Sequence, residues 1–287
     1  MDQALIEFFQ SHFEGLEGVI NSNFFSAAFG AFAGAFGAQR IAERAKRREE
    51  NVLELRSTNT AIMISFDICN ILLSVKKQHL RPMKVGYEND RAAFIKHVDT
   101  VSRIGAGVFP PFFYTADMKT LFIPPLPVER LAKEVYEKAS HVGRPLSLMT
   151  MLGQSVETLA ASMDSRNRLC EEFQHQSQMP QIDRAFAYFG VQKGNVLNET
   201  YLTTLYAIFD QADDGIMFAK LLIDDLVEHG NKLATKMGIG TSSVNKPDFS
   251  IAVNAGLMPD AARYTDWLTA FKKGSSITHW ADLAAQL

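Results

Sequence analysis

The residues with the best claim to chemistry are two carboxylate–imidazole pairs, Glu172-x-x-His175 and Asp225-x-x-x-His229. Spacings of three and four residues place both members of a pair on one helix face, where they can share a metal ion. Helical di-metal sites use the Glu-x-x-His pair twice and add two glutamates from other helices. Here that pair occurs once, at a predicted helix end where Glu and His commonly serve solubility. The arrangement reads as surface, and no metal or other cofactor is expected.

No stronger constellation competes. The sequence holds no phosphate-binding loop, dinucleotide glycine fingerprint, nucleophile elbow, HExxH or deaminase signature. Gly105-Ala106-Gly107 lacks a third glycine and a preceding strand. His12, His79, His97, His141 and His279 have no partner at nucleophile or ligand spacing. Cys69 and Cys170 fall in predicted cytoplasmic helices and read as free thiols. The expectation is a protein that is not an enzyme. The competing reading is an enzyme whose site hides under an aromatic, Pro-rich loop.

Asp210, Asp213, Asp214, Asp224, Asp225 and Glu228 make one predicted helix acidic. A solvated face explains most of them; the alternative is a surface that docks a basic stretch of a neighbouring copy or of a partner. Trp267 and Trp280 read as packing residues. A net charge of −3 argues against a dedicated nucleic-acid binder.

The elements around these residues begin with residues 19–38, VINSNFFSAAFGAFAGAFGA, which carry no charge. A helix of that length rises roughly 30 Å, about one bilayer core. Residues 1–39 contain Asp2, Glu7, Glu14 and Glu17 but no Lys or Arg; Arg40, Arg44, Lys46, Arg47 and Arg48 then follow. The positive-inside rule puts this basic flank in the cytoplasm. The expectation is a single-pass inner (plasma) membrane protein with its N-terminus outside and its bulk inside. The bland alternative is a buried Ala/Gly-rich helix of a soluble protein. Residues 2–16 read as an amphipathic helix at the outer interface, or as a partly ordered tail.

Ser26, Gly30, Gly34 and Ala38 recur every four residues and let two helix backbones approach closely in lipid. Gly30 and Gly34 form a GxxxG match within this row. Phe25, Phe29, Phe32 and Phe36 form a separate bulky stripe. The row predicts a homo-oligomer in the bilayer; the alternative is a monomeric anchor.

No Gly or Pro occurs between Ala38 and Arg81, which favours one long helix leaving the membrane. Its stretch 61–75 is apolar but holds Asp67 and Asn70, so it reads as a core helix rather than a hairpin returning through the membrane. Pro82 is expected to end this segment, and another helix is expected over 87–103. Residues 104–127 contain Pro110, Pro111, Pro124, Pro125 and Pro127 and are rich in aromatics. They read as a loop pinned to the core, with a short strand at 119–123; the functional alternative is a ligand- or partner-binding loop. Further helices are expected at 128–140, 145–175, 197–237 and 259–273, with short elements at 183–189 and 276–287.

The fold class is therefore mainly α: one N-terminal transmembrane helix continuing into a cytoplasmic helical bundle, with one Pro/aromatic-rich irregular segment. The expected divisions are an extracytoplasmic amphipathic segment 1–17, the span 18–39, a basic stalk and core helix 40–82, and a helical domain 83–287. The function this suggests is a self-associating membrane protein whose cytoplasmic domain senses a small-molecule ligand or a cytoplasmic protein. In one version the output is membrane permeabilisation, by analogy of architecture with bacterial toxic or defence effectors. The alternative is a membrane-anchored scaffold or adaptor.

Overall fold

The computed structural model describes residues 23–105, 110–138, 143–175 and 178–270, with side chains from residue 31 onward, Ala33 and Ala270 excepted. The expected amphipathic segment 2–16, the start of the span and the element at 276–287 lie outside the described residues. Among the described residues the protein is mainly helical and has no strand. It divides into two units between Leu53 and Glu54.

Helix α1 runs Asn23–Val75. In the first unit, residues 34–50 of this helix are exposed apart from half-buried Gly37. Phe32, Phe36 and Ile41 lie open, with Phe32 at 81% exposure. The Arg40 guanidinium sits 4.8 Å from the Phe36 ring centre. Gln39 donates to Glu43 at 3.2 Å, and Lys46 lies 3.9 Å from Glu50. Exposed i,i+4 pairs of this kind add only tenths of a kcal/mol to a helix.

In the second unit the same helix is buried on one side. Leu55, Ile62, Cys69 and Leu72 follow at three- and seven-residue spacings, the period of one helix face. The helical run Gly34–Ile104 is long and apolar enough to cross a membrane, and its most apolar window has a mean hydropathy of 1.4. More than half of that window, 56%, is buried inside the protein. Since residues 34–50 are exposed, the window falls on the buried part of the helix. Its apolarity serves the core, and core helices pass such a test as readily as spans do.

Pro82 does not end the helix. A π-helical turn, Lys76–Leu80, joins α1 to helix α2, Arg81–Ile104. The Arg81 amide donates to the Lys76 carbonyl five residues back. Proline in a regular helix clashes with the carbonyl four residues before it. The wider turn, placed just ahead of Pro82, opens room for its ring. The sequence carries no local mark of such a turn, so the proline reads as a terminator when taken alone.

An extended segment, 110–127, follows without a strand at 119–123. Helix α3 is Val128–Glu137, α4 Arg144–His175, α5 Gln181–Phe189 and α6 Thr200–Lys236. Short helical elements then follow at Ser250–Asn254, Ala261–Tyr264 and Thr265–Ala270.

Helices α4 and α6 pack along their lengths and run antiparallel. Arg144 meets Asp225, Ser155 lies beside Gly215, and Cys170 lies beside Tyr201. At Gly215 an added Cβ would come within 2.9 Å of Leu72, so glycine lets α1 approach α6 closely. Between them lie Ile62, Leu72, Leu152, Leu159, Ile216 and Leu222, all essentially without solvent contact. Burying each such side chain stabilises the fold by about 1.5–3 kcal/mol.

Candidate functional site

The four-residue row of the first unit is only partly described. Ser26 and Gly30 lie on α1, but their side-chain surroundings fall outside the described residues. An added Cβ at Gly34 would meet nothing within 4 Å, and Ala38 is exposed. Arg40, Arg44, Lys46, Arg47 and Arg48 are all exposed. This surface is open along its described length.

The carboxylate–imidazole pairs do not meet. Asp225 is bound by Arg144, whose Nε donates at 2.8 Å. His229 Nε2 lies 2.9 Å from the Glu54 carboxylate. Glu172 and His175 are exposed at the other end of α4. A rise of 1.5 Å per residue puts Glu172 roughly 40 Å along that helix from Arg144. Among the described residues no three metal-ligating side chains cluster.

The acidic face of α6 is also taken up internally. Asp210 pairs with Arg263 at 3.0 Å, and Asp213 with Lys76 at 2.5 Å. Asp214 accepts from the Tyr264 hydroxyl at 2.7 Å. Asp224 pairs with Lys220 at 2.5 Å and Glu228 with Lys232 at 2.6 Å. With Asp225 held by Arg144, every acid singled out on this helix has a partner within the chain. Four of those partners, Lys76, Arg144, Arg263 and Tyr264, lie far away in sequence.

The strongest polar centre was invisible from motifs. Arg166, on α4, is completely buried. Its guanidinium donates to the carbonyls of Asp117 and Lys119, and lies 3.8 Å from the Asp117 carboxylate. The next residue, Asn167, accepts from the Leu121 amide at 2.9 Å and donates to the Leu121 carbonyl at 2.7 Å. One side-chain amide thus supplies the two bonds that a neighbouring strand would make. Together the two residues fix segment 117–121 on α4. A charge moved out of water costs several kcal/mol unless it is paired and hydrogen-bonded; these acceptors serve the two terminal nitrogens, while the buried Nε has no partner among the described residues.

Around this centre Phe112 and Tyr114 pin the loop as expected, while Phe113 and Phe122 lie exposed. Phe112 packs on Phe94 at 5.1 Å between ring centres, and Tyr114 on Phe189 at 4.9 Å. Tyr188 and Tyr201 lie 4.5 Å apart beside Arg166. Burial pushes the Tyr201 hydroxyl up to about 12, against the pull of the Arg166 charge, and pushes Tyr188 up as well. Burial likewise pushes the Cys69 thiol up to about 12 and raises Cys170. These groups stay protonated at neutral pH. A nucleophilic thiol needs the thiolate, so neither cysteine is built for attack.

The pinned loop forms one wall of a cleft of about 270 Å³. The other wall is the π turn and the start of α2. Met83, Tyr87, Leu121 and Tyr188, all buried, form an apolar floor. Gln78, His79, Asp90, Thr115, Lys119 and Thr120 form a polar rim. The rim side chains make no hydrogen bond or ion pair with another described residue. An apolar floor with a few convergent polar groups is the usual build of a small-molecule site. A π turn is a frequent companion of such sites.

A second groove, of about 630 Å³, runs beside 122–130 and the α4 residues Gly153, Val156 and Ala160. It is lined mainly by apolar groups of the proline-rich stretch.

No protein-family model, no curated protein and no solved structure matches the chain.

Proposed function

We propose that the chain is a non-enzymatic, single-pass inner-membrane protein that self-associates through Ser26, Gly30, Gly34 and Ala38. In this reading the helical unit from Glu54 onward is a sensing or interaction module, arranged as a cytoplasmic helical bundle. Exposed Arg40, Arg44, Lys46, Arg47 and Arg48 hold the cytoplasmic edge of the span. A shift in span packing on ligand or partner binding would be the output, with membrane permeabilisation as its strongest form.

The observation that carries the reading is the uncovered aromatic stretch that ends in a basic run. Phe32 and Phe36 lie open on a helix, and a Cβ added at Gly34 would meet nothing within 4 Å among the described residues. Each phenylalanine moved from water into an apolar phase gains about 1.5–3 kcal/mol. Lipid and a second small-residue face supply such a phase, and the positive charges that follow suit a headgroup boundary.

A second reading, a membrane-anchored scaffold, is favoured by the open apolar groups on the helical unit. Phe113, Phe122 and Ile251 are among them, and Phe122 borders the larger groove.

Membrane fractionation with a carbonate wash, followed by crosslinking, tests the span. Wild-type protein should stay with membranes and crosslink into a discrete ladder that Gly30→Leu/Gly34→Leu loses. Release into the soluble fraction would overturn the reading. Function that survives exchange of the span for an unrelated one would favour the scaffold.

A further inference from the structure

The small cleft beside the π turn is built for a particular kind of ligand. Its lining carries both signs of charge: His79 on the π turn and Asp90 on α2 along one wall, and Lys119 on the other, where the Asp117 carboxylate is engaged by Arg166 and the Lys119 amide. Asp90 is half-buried and no described residue neutralises it. Elsewhere the half-buried carboxylates Asp213, Asp214 and Asp225 are all engaged by side chains of the chain itself. The floor beside Asp90 includes the rings of Tyr87 and Tyr188. An aromatic face next to a carboxylate attracts an ammonium group by charge and by the ring quadrupole. Lys119 is exposed, and its ammonium has no partner among the described residues.

The wall that carries Lys119 is also fixed in place. Arg166 holds the carbonyls of Asp117 and Lys119, and Asn167 holds Leu121. A preorganised wall spares a ligand the entropy of ordering it. The cleft volume of about 270 Å³ suits a small molecule and excludes a folded partner.

We propose that this cleft binds a small zwitterion of the amino-acid class. Its ammonium group lies between Asp90 and the tyrosine rings, and its acid group lies against Lys119. This rests on the reading of the helical unit as a sensing module and is independent of the span.

The test is calorimetric titration of the full-length protein in detergent with the common α-amino acids. Putrescine and succinate serve as amine-only and acid-only probes. At least one amino acid should bind saturably, and putrescine and succinate should not. Asp90→Asn and Lys119→Met should each weaken that binding by about tenfold or more, the loss of one charged contact. Their thermal melts should overlay the wild type, because neither side chain holds the fold. No saturable binding of any amino acid at millimolar concentration overturns the proposal. So does equal binding of putrescine or succinate, or unchanged affinity in either variant. Carbonate extraction tests the span alone, so the two ideas fail separately.

Discussion

The outer face of α6 and the rim of the cleft use charge in opposite ways. On α6, Asp210, Asp213, Asp214, Asp224, Asp225 and Glu228 each have a partner within the chain. On the rim, Asp90 and Lys119 have no side-chain partner among the described residues. The first set is explained by the fold that it fastens. The second is not, and that makes it the better place to look for a ligand. Abundance of charge in the sequence pointed the other way, toward the acidic helix.

Breaking this contrast starts at the wall shared with Arg166. Arg166→Met leaves the carbonyls of Asp117 and Lys119 without their donor. A buried acceptor left unpaired costs about 1–3 kcal/mol, so the pair should cost about 3 kcal/mol in urea denaturation. Arg166→Lys should not restore it, because an ammonium cannot span both acceptors as the fork does. A variant as stable as wild type would mean that the wall is not held by this charge.

A smaller effect sharpens the contrast directly. Asp225→Asn weakens the grip on Arg144, which is about one-third exposed, and should cost about 1 kcal/mol after allowance for solvent screening. Asp90→Asn should stay within about 0.5 kcal/mol. Equal losses in the two variants would erase the distinction between the fastened carboxylate and the one on the rim.

The smallest effect is a pH dependence. Burial raises the Asp214 carboxyl above its ordinary value, and the Tyr264 hydrogen bond and the Arg263 charge only partly offset this. The folded protein therefore holds this proton more tightly than the unfolded chain does. The stability from Asp214 is full below the ordinary carboxylate range and is lost as pH rises through the raised value. Asp214→Asn keeps an acceptor for Tyr264 and removes that loss. Its urea midpoint should gain on wild type between acid and neutral pH. A constant difference between the two would mean that Asp214 titrates normally.

Much of the helical framework is legible in the sequence. Apolar spacing marks α4 and α6 to within a few residues of Arg144–His175 and Thr200–Lys236. The stretch 61–75 reads correctly as core, because Asp67 and Asn70 point away on exposed positions while Ile62, Ile68 and Leu72 stay buried. The polar centre is less legible. Arg166 occupies the buried register of α4, seven residues after Leu159 and four before Cys170. A cation in an apolar register is the one signal that could have found it. Its acceptors are backbone carbonyls some fifty residues earlier, and backbone groups leave no trace in residue types. The pairing on α6 is hidden for a related reason: Arg263 follows Asp210 by 53 positions, beyond any helical spacing.

The turn at Lys76–Leu80 sets the rotational phase of everything that follows it. One residue more than a regular turn requires is absorbed there, ahead of Pro82. Winding the same residues at regular α-helical pitch, without the wide turn, would rotate α2 by about 100° relative to α1. Tyr87 and Phe94 would swing off the aromatic core, and Asp90 would leave the cleft. A packed interior and a charge at its edge that no described residue claims thus depend on the same wide turn.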